Sequence, residues 1–215
     1  MKPTRFAVTS AAACLMLTSA AQAAVDTFTS QSAWQAALTA ATVIDFDALP
    51  AATELASQYA GATFSRFNGG VPLAAAESGP FSLPNLLSID DPLLGGGGGG
   101  VRIDFATPQA GAGFWYCDAQ FAGSFVTAYD GANHVLASFE LVYPHPTVWQ
   151  FVGFTSGATD IASLTVSIMA SDRVPLDNVM FSASVVPEPA TGAMGALGLL
   201  GVAFAVRRRG GRPGG

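Results

Sequence analysis

The sequence predicts an all-β fold, an antiparallel two-sheet sandwich of jelly-roll type with one short N-terminal helix, and three observations predict it. Nine short runs rich in Val, Ile, Phe and Thr are spaced along the chain. Gly, Pro, Asn or Asp separates them, and no long helical pattern comes between them. Strands with no crossover helices pair antiparallel, and two packed sheets are the economical way to bury their apolar faces.

The helix comes first. Ser30 offers an N-cap, and Ser32 to Ala40 is Ala-rich with Trp34, Ala37 and Leu38 at spacings of three and four, which makes one apolar face. The strand runs are Thr42 to Asp47, Ala62 to Phe67, Val101 to Phe105, Gly113 to Cys117, Phe125 to Tyr129, Val135 to Val142, Val148 to Phe154, Ile161 to Ile168 and Asn178 to Ser184. Asp130-Gly131-Ala132-Asn133 between two of them predicts a hairpin. Alternation points Phe46, Ile103, Phe105, Phe114, Tyr116, Phe151 and Val179 into the core. Gly69 to Gly100 holds Pro72, Pro80, Pro84, Pro92 and six consecutive glycines, and it predicts an irregular surface excursion. Those glycines are no phosphate cradle, because no Lys-Ser or Lys-Thr follows them and no strand-to-helix transition surrounds them.

Both ends carry export signals. Lys2 and Arg5 precede an apolar run from Phe6 to Ala20, and Ala21-Gln22-Ala23 has the small-x-small pattern that signal peptidase reads, so residues 1–23 leave and the mature chain starts near Ala24. At the other end Pro187-Glu188-Pro189 precedes an uncharged run of 17 residues, Ala190 to Val206, and then Arg207-Arg208-Arg209. As a helix that run spans roughly 25 Å, enough for a thin bilayer. The arginines stop transfer and stay on the cytoplasmic side, which places residues 24–186 on the opposite face of the membrane. The two prolines keep the segment around Glu188 extended, so a protease would bind it as a strand.

Pro-Glu-Pro, an apolar helix and an Arg cluster, in that order and behind a signal peptide, resemble the sorting domain of bacterial PEP-CTERM proteins. Pro187, Glu188 and Pro189 align with the motif and Arg207, Arg208 and Arg209 with its basic end, while residues 210–215 form a slightly longer tail. The resemblance covers about 30 residues. It implies recognition by an exosortase, a membrane-embedded cysteine-protease-like transpeptidase, with processing near the motif, transient residence in the inner membrane, and delivery to the cell surface or the extracellular matrix. Such proteins are often found in bacteria that make extracellular polysaccharide. The resemblance says nothing direct about residues 24–186.

Composition bounds that body. It has about 163 residues, which suits one domain with a single core. Its basic side chains are Arg66, Arg102 and Arg173 against fourteen acids, a net charge of −11, and it has no lysine. A nucleic-acid footprint is therefore absent, and cations are the natural partners. With Cys14 removed with the signal peptide, Cys117 is the single thiol, so no intramolecular disulfide forms, and its aromatic setting predicts a buried, inert group.

Catalytic patterns are sparse. His145 sits between Pro144 and Pro146, His134 follows the hairpin, and neither has a Ser or Cys partner pattern. Gly153-Phe154-Thr155-Ser156-Gly157 resembles a nucleophile elbow only loosely, since Thr155 stands at its centre and a strand follows, so a strand-end turn is the reading. Two histidines and one cysteine, widely spaced, make no zinc set. Oxygen ligands are the more suggestive feature. Asp45 and Asp47 share one face of their strand, Asp177 and Asn178 begin the last one, and if first and last strands are neighbours these four would hold Ca²⁺. Solvated acids at strand ends are the plainer alternative.

Two function classes follow. The preferred one is a non-catalytic, surface-sorted adhesion or matrix module that engages extracellular polysaccharide through Trp115 and Trp149. The alternative is an extracellular glycan hydrolase with an unrecognised carboxylate pair, which sequence spacing does not reveal. Both tryptophans are open to a third reading as ordinary core residues.

Overall fold

The computed structural model describes residues 24–67, 72–76, 84–89, 99–142, 148–169, 172 and 174–186. The expected signal peptide with Ala21 and Ala23, His145, and the terminal segment with Pro187, Glu188, Pro189 and Arg207 to Arg209 lie outside the described residues. The elements in chain order are β1 (Val25–Phe28), α1 (Gln31–Ala36), β2 (Thr42–Ile44), β3 (Thr53–Glu54), β4 (Ala62–Arg66), β5 (Leu73–Ala76), β6 (Asn85–Ser88), β7 (Gly100–Gln109), β8 (Gly111–Tyr116), β9 (Phe125–Tyr129), β10 (Val135–Glu140), β11 (Gln150–Ser156), β12 (Ile161–Ser167) and β13 (Leu176–Ser182).

They form two antiparallel sheets. The larger runs β1-β11-β8-β13-β6-β5-β3, with β2 also on β13, and the smaller runs β10-β9-β12-β7-β4. The main core lies between their inner faces: Phe46, Phe64, Ile103, Phe114, Tyr116, Val126, Val152, Phe154, Leu164 and Val179 all belong to one buried cluster. Alternation explains the split, since Val101, Ile103 and Phe105 point inward while Arg102 and Asp104 between them point out. One residue, Ala110, separates β7 from β8, so the chain turns from one sheet into the other without a loop. Its backbone stays bonded through that corner, to Ser182 O at 2.7 Å and from Ser156 N at 2.8 Å.

A second cluster covers the outer face of the larger sheet, with Trp34 and Leu38 from the α1 segment over Ala110, Phe151 and Met180. Phe151 is buried as expected, but in this outer cluster and not between the sheets. Gly153 and Gly113 are paired across β11 and β8, and they leave the hollow that these rings fill. A Cβ on Gly153 would stand 2.7 Å from Trp34 Cδ1, and one on Gly113 2.9 Å from Phe151 Cζ.

Four differences from the sequence reading have physical causes. The helix starts under the Ser30 cap, whose hydroxyl accepts from Ala33 N, but it stops at Ala36 and not Ala40, because Leu38 and Thr39 pair with the chain's far end. The stretch Gly69 to Gly100, read as irregular, contains β5 and β6 in an antiparallel pair. All four residues of β6 are buried, so it shows no alternation, and β5 is mostly alanine, a poor strand former. β1, which follows directly on the expected signal peptide, and the two-residue β3 were likewise not anticipated. The hairpin at Asp130 to Asn133 forms as expected between β9 and β10.

Candidate functional site

Trp115 sits on β8 directly across from Phe151, with ring centroids 5.7 Å apart, and its Nε1 donates to Gln31 Oε1 at 3.1 Å. It is half-buried and belongs to the packing of the second cluster. Trp149 is also half-buried. It immediately precedes Gln150, which pairs with Tyr116, so alternation sets it on the same face as Phe151 and Trp115. The structure thus brings both tryptophans to one face of the larger sheet, Trp115 with its polar atom already engaged.

The acids do meet as neighbouring strands. β2 pairs with β13 through Val179 opposite Ile44, so Asp45 follows the end of one strand near the start of the other, but β2 stops at Ile44 and Phe46 has φ +63°, so Asp45 and Asp47 do not share one face of a strand as expected. Their environments then diverge. Asp45 is exposed and accepts the Asp47 N–H at 3.3 Å, while Asp47 accepts the main-chain N–H of Asn85 at 3.0 Å. Asp177 is fully buried and accepts the Asn178 N–H at 2.6 Å. Asn178 has φ +48° where β13 shifts register against β8, a bulge that aims the pair away from ladder geometry. Among the described residues, no three His, Cys, Asp or Glu side chains lie close enough together to hold a metal ion. Tyr59 lies beside this end, its hydroxyl buried without a partner among the described residues and pushed up to about 12 by burial first and by the Asp45 and Asp47 carboxylates after it.

Nucleophile candidates are occupied or sealed. Cys117 is buried, and burial, with Asp118 adding to it, pushes its thiol up to about 12, so the thiolate is scarce at neutral pH. Thr155 is an interior residue of β11, paired with Asp26 and Gly111, so Gly153 to Ser156 is strand and not the strand-end turn expected, and the turn comes only at Gly157. His134 faces Asp130 at 3.0 Å, and that carboxylate is held below the usual range chiefly by the His134 main-chain N–H.

A site the sequence reading passed over lies on the outer face of the smaller sheet. Register places Ser65, Arg102, Thr165, Thr127 and Ser138 in one row across all five strands, and Thr63, Asp104, Ser163 and Tyr129 in the next. Arg102 reaches along this face: Nε donates to Asp104 Oδ1 at 2.7 Å, a terminal nitrogen donates to Asn133 Oδ1 at 3.0 Å, and the guanidinium lies 5.9 Å from the Tyr129 ring centre. Asn133 is fixed for this by its hairpin, where Asp130 Oδ1 accepts from both Ala132 N and His134 N at 2.8 Å. Ser163 and Thr165, on the outward side of the central strand, are nevertheless buried, and Ser163 Oγ has no hydrogen-bond partner among the described residues. The available signal was Arg102 itself, one of three cations in the body, alternating with inward Val101 and Ile103.

The chain leaves the sandwich beside α1. Leu38 bridges Val185, Thr39 N donates to Ser184 O at 3.2 Å, and Val186 N donates to Ala37 O at 2.9 Å. A groove of about 400 Å³ flanks this exit, lined by Ala40, Thr42, Gly61, Thr107, Gln109 and Ser182 among others.

Comparison with known proteins places these features as follows. No curated protein matches the chain. Among solved structures it is similar to an arabinose-bound α-L-arabinofuranosidase, at 18% identity over 67% of this chain and 26% of that one with a TM-score of 0.49. It is similar also to the K2 cleaved adhesin domain of Lys-gingipain, at 10% identity over 66% of this chain and 99% of that one with a TM-score of 0.46. A third likeness is to the family 11 carbohydrate-binding module of a cellulosomal cellulase of Clostridium thermocellum, at 9% identity over 70% and 98% with a TM-score of 0.33. The aligned region spans about a quarter of the arabinofuranosidase chain. Residues 185–209 match the PEP-CTERM protein-sorting motif, and the protein that carries it is exported through the membrane to the cell surface.

Proposed function

We propose that residues 24–186 are a non-catalytic binding or adhesion module that an exosortase sorts to the surface, where it engages extracellular polysaccharide. The observation that carries this reading is the junction: the sorting motif begins at Val185, a residue hydrogen-bonded into the sandwich beside α1. No spacer separates the folded body from the sorted segment, so the sandwich faces are what the cell displays. Its sheet-borne hydroxyls, Trp149 and Arg102 suit a polyol ligand, and its acid surplus without lysine disfavours phosphate polymers and anionic lipid. Calcium at Asp45, Asp47, Asp177 and Asn178 stays outside this reading, since among the described residues no three His, Cys, Asp or Glu side chains gather to hold a metal ion.

The deciding experiment incubates full-length protein, held in a sugar-free detergent, with soluble polysaccharides and measures both retention and reducing-end release. Retention without release supports the module. Release that Asp or Glu substitutions abolish assigns the chain to the hydrolases instead.

A further inference from the structure

We propose that the outer face of the smaller sheet is the polysaccharide platform, with Arg102 at its centre, and that it takes an uncharged chain; this rests on the reading of the body as a polysaccharide-binding module. Five strands about 4.8 Å apart give a row roughly 19 Å wide, from Ser65 on β4 to Ser138 on β10. Along it the outward groups are hydroxyls, one guanidinium, one carboxylate and one aromatic ring. This is the mixture of donors, acceptors and an apolar patch that a sugar ring presents in return.

Two features show unspent binding capacity. Among the described residues Arg102 engages two of its five N–H donors, one on Asp104 and one on Asn133. Ser163 Oγ is sealed on the outward side of β12 with no partner among the described residues, a condition that costs the free protein stability and is relieved when an incoming hydroxyl pairs with it. Its cross-strand neighbours on this face are Asp104, 42% exposed, and half-buried Tyr129, with Arg102 bonded to Asp104 beside them, so an incoming hydroxyl reaches it by displacing these side chains.

Charge selects the class of ligand. The Arg102 cation is matched by Asp104 at 2.7 Å, Asp130 stands in the adjoining hairpin, and Glu140 closes the next row opposite Phe125. A polyanion meets net repulsion here, whereas an uncharged polyol does not. A protein partner is disfavoured because the centre of the face is hydroxyl-bearing where the core of a protein interface is apolar.

The test titrates full-length protein in a sugar-free detergent against soluble neutral glucans, mannans and galactans and against a polyuronate, by calorimetry. A neutral chain is expected to bind, with Arg102→Gln and Thr165→Val each weakening it tenfold or more and Val43→Ala, at an exposed position of the larger sheet, leaving it within twofold. Ser163→Ala separates ligand contact from scaffolding: it should weaken binding while the melting temperature of the free protein stays level or rises. Unchanged affinity in the Arg102, Thr165 and Ser163 variants overturns the platform while the polysaccharide reading stands. Preferential, salt-sensitive binding of the polyuronate overturns the uncharged class. No binding of any glycan by the parent chain overturns this inference together with the reading it rests on.

Discussion

The indole Nε1 of Trp34 donates to the main-chain carbonyl of Phe154 at 3.0 Å, and the same ring occupies the space a side chain on Gly153 would need. A six-residue helix is too short to hold itself in water, so α1 exists because this tryptophan is buried against β11. Trp34→Ala should cost about 3–5 kcal/mol, as large-to-small core changes do. Gly153→Ala should cost about 1–3 kcal/mol by overpacking. In the double variant part of the clash is gone, so the two losses should sum to less than their separate values. Urea unfolding of the four proteins measures this cycle, and strict additivity would mean that the two residues do not share one space.

Alkali should destabilise the fold in a defined window. Cys117, from 9.0, and Tyr116, from 10.0, are each raised to about 12, both chiefly by burial. In each case folding favours the neutral form, so the stabilisation is complete below the unfolded pKa and is lost as pH rises toward the folded one. Melting temperature should be flat up to about pH 9 and fall from there to pH 12. Cys117→Ala should delay the onset toward pH 10, whereas a fall that starts at the same pH in that variant would assign the loss to other groups.

The same burial makes Cys117 unreactive. Iodoacetamide at pH 8 should leave it unmodified in native protein and label it fully in urea, as read by intact mass. Labelling of the native state at the rate of a free thiol would show that the site opens.

Calcium has a direct test at the β2–β13 end. A cation bound only by the folded state with hundredfold excess over its Kd would add about 2.7 kcal/mol. Asp47 already caps the Asn85 N–H and Asp177 the Asn178 N–H, so the geometry favours superimposable melting curves in millimolar Ca²⁺ and in chelator. Asp177→Ala should then lower the melting temperature equally in both. A calcium-dependent rise that Asp177→Ala removes would instead establish the four-ligand site.

Sorting should be visible by mass. Protein from a host with its exosortase should lack residues 1–23 and be cut near Pro187 to Pro189; without the exosortase the tail should remain. The Val186 amide, bonded to Ala37 O, should be slow to exchange in the uncut protein. A tail retained in both hosts would make the terminal segment an ordinary anchor.

What the sequence determined by itself is local. Alternation set which side of each strand is apolar, so Ile44, Phe46, Ile103 and Phe114 could be placed inside before any partner was known. The Asp130 to Asn133 turn could be placed because its side chains bond their own backbone. The sorting motif was legible because a linear segment is read by its enzyme as chemistry in order, without folding. What only the tertiary structure decided is non-local. β6 is a strand because β13 and β5 flank it, and a run buried on both faces carries no periodic signal. Trp34, Gly153 and Phe151 form one unit across more than a hundred residues. The row from Ser65 through Arg102 and Thr165 to Ser138 comes from four strand registers, and register depends on which strands become neighbours, a choice made by burying the two sheets against each other.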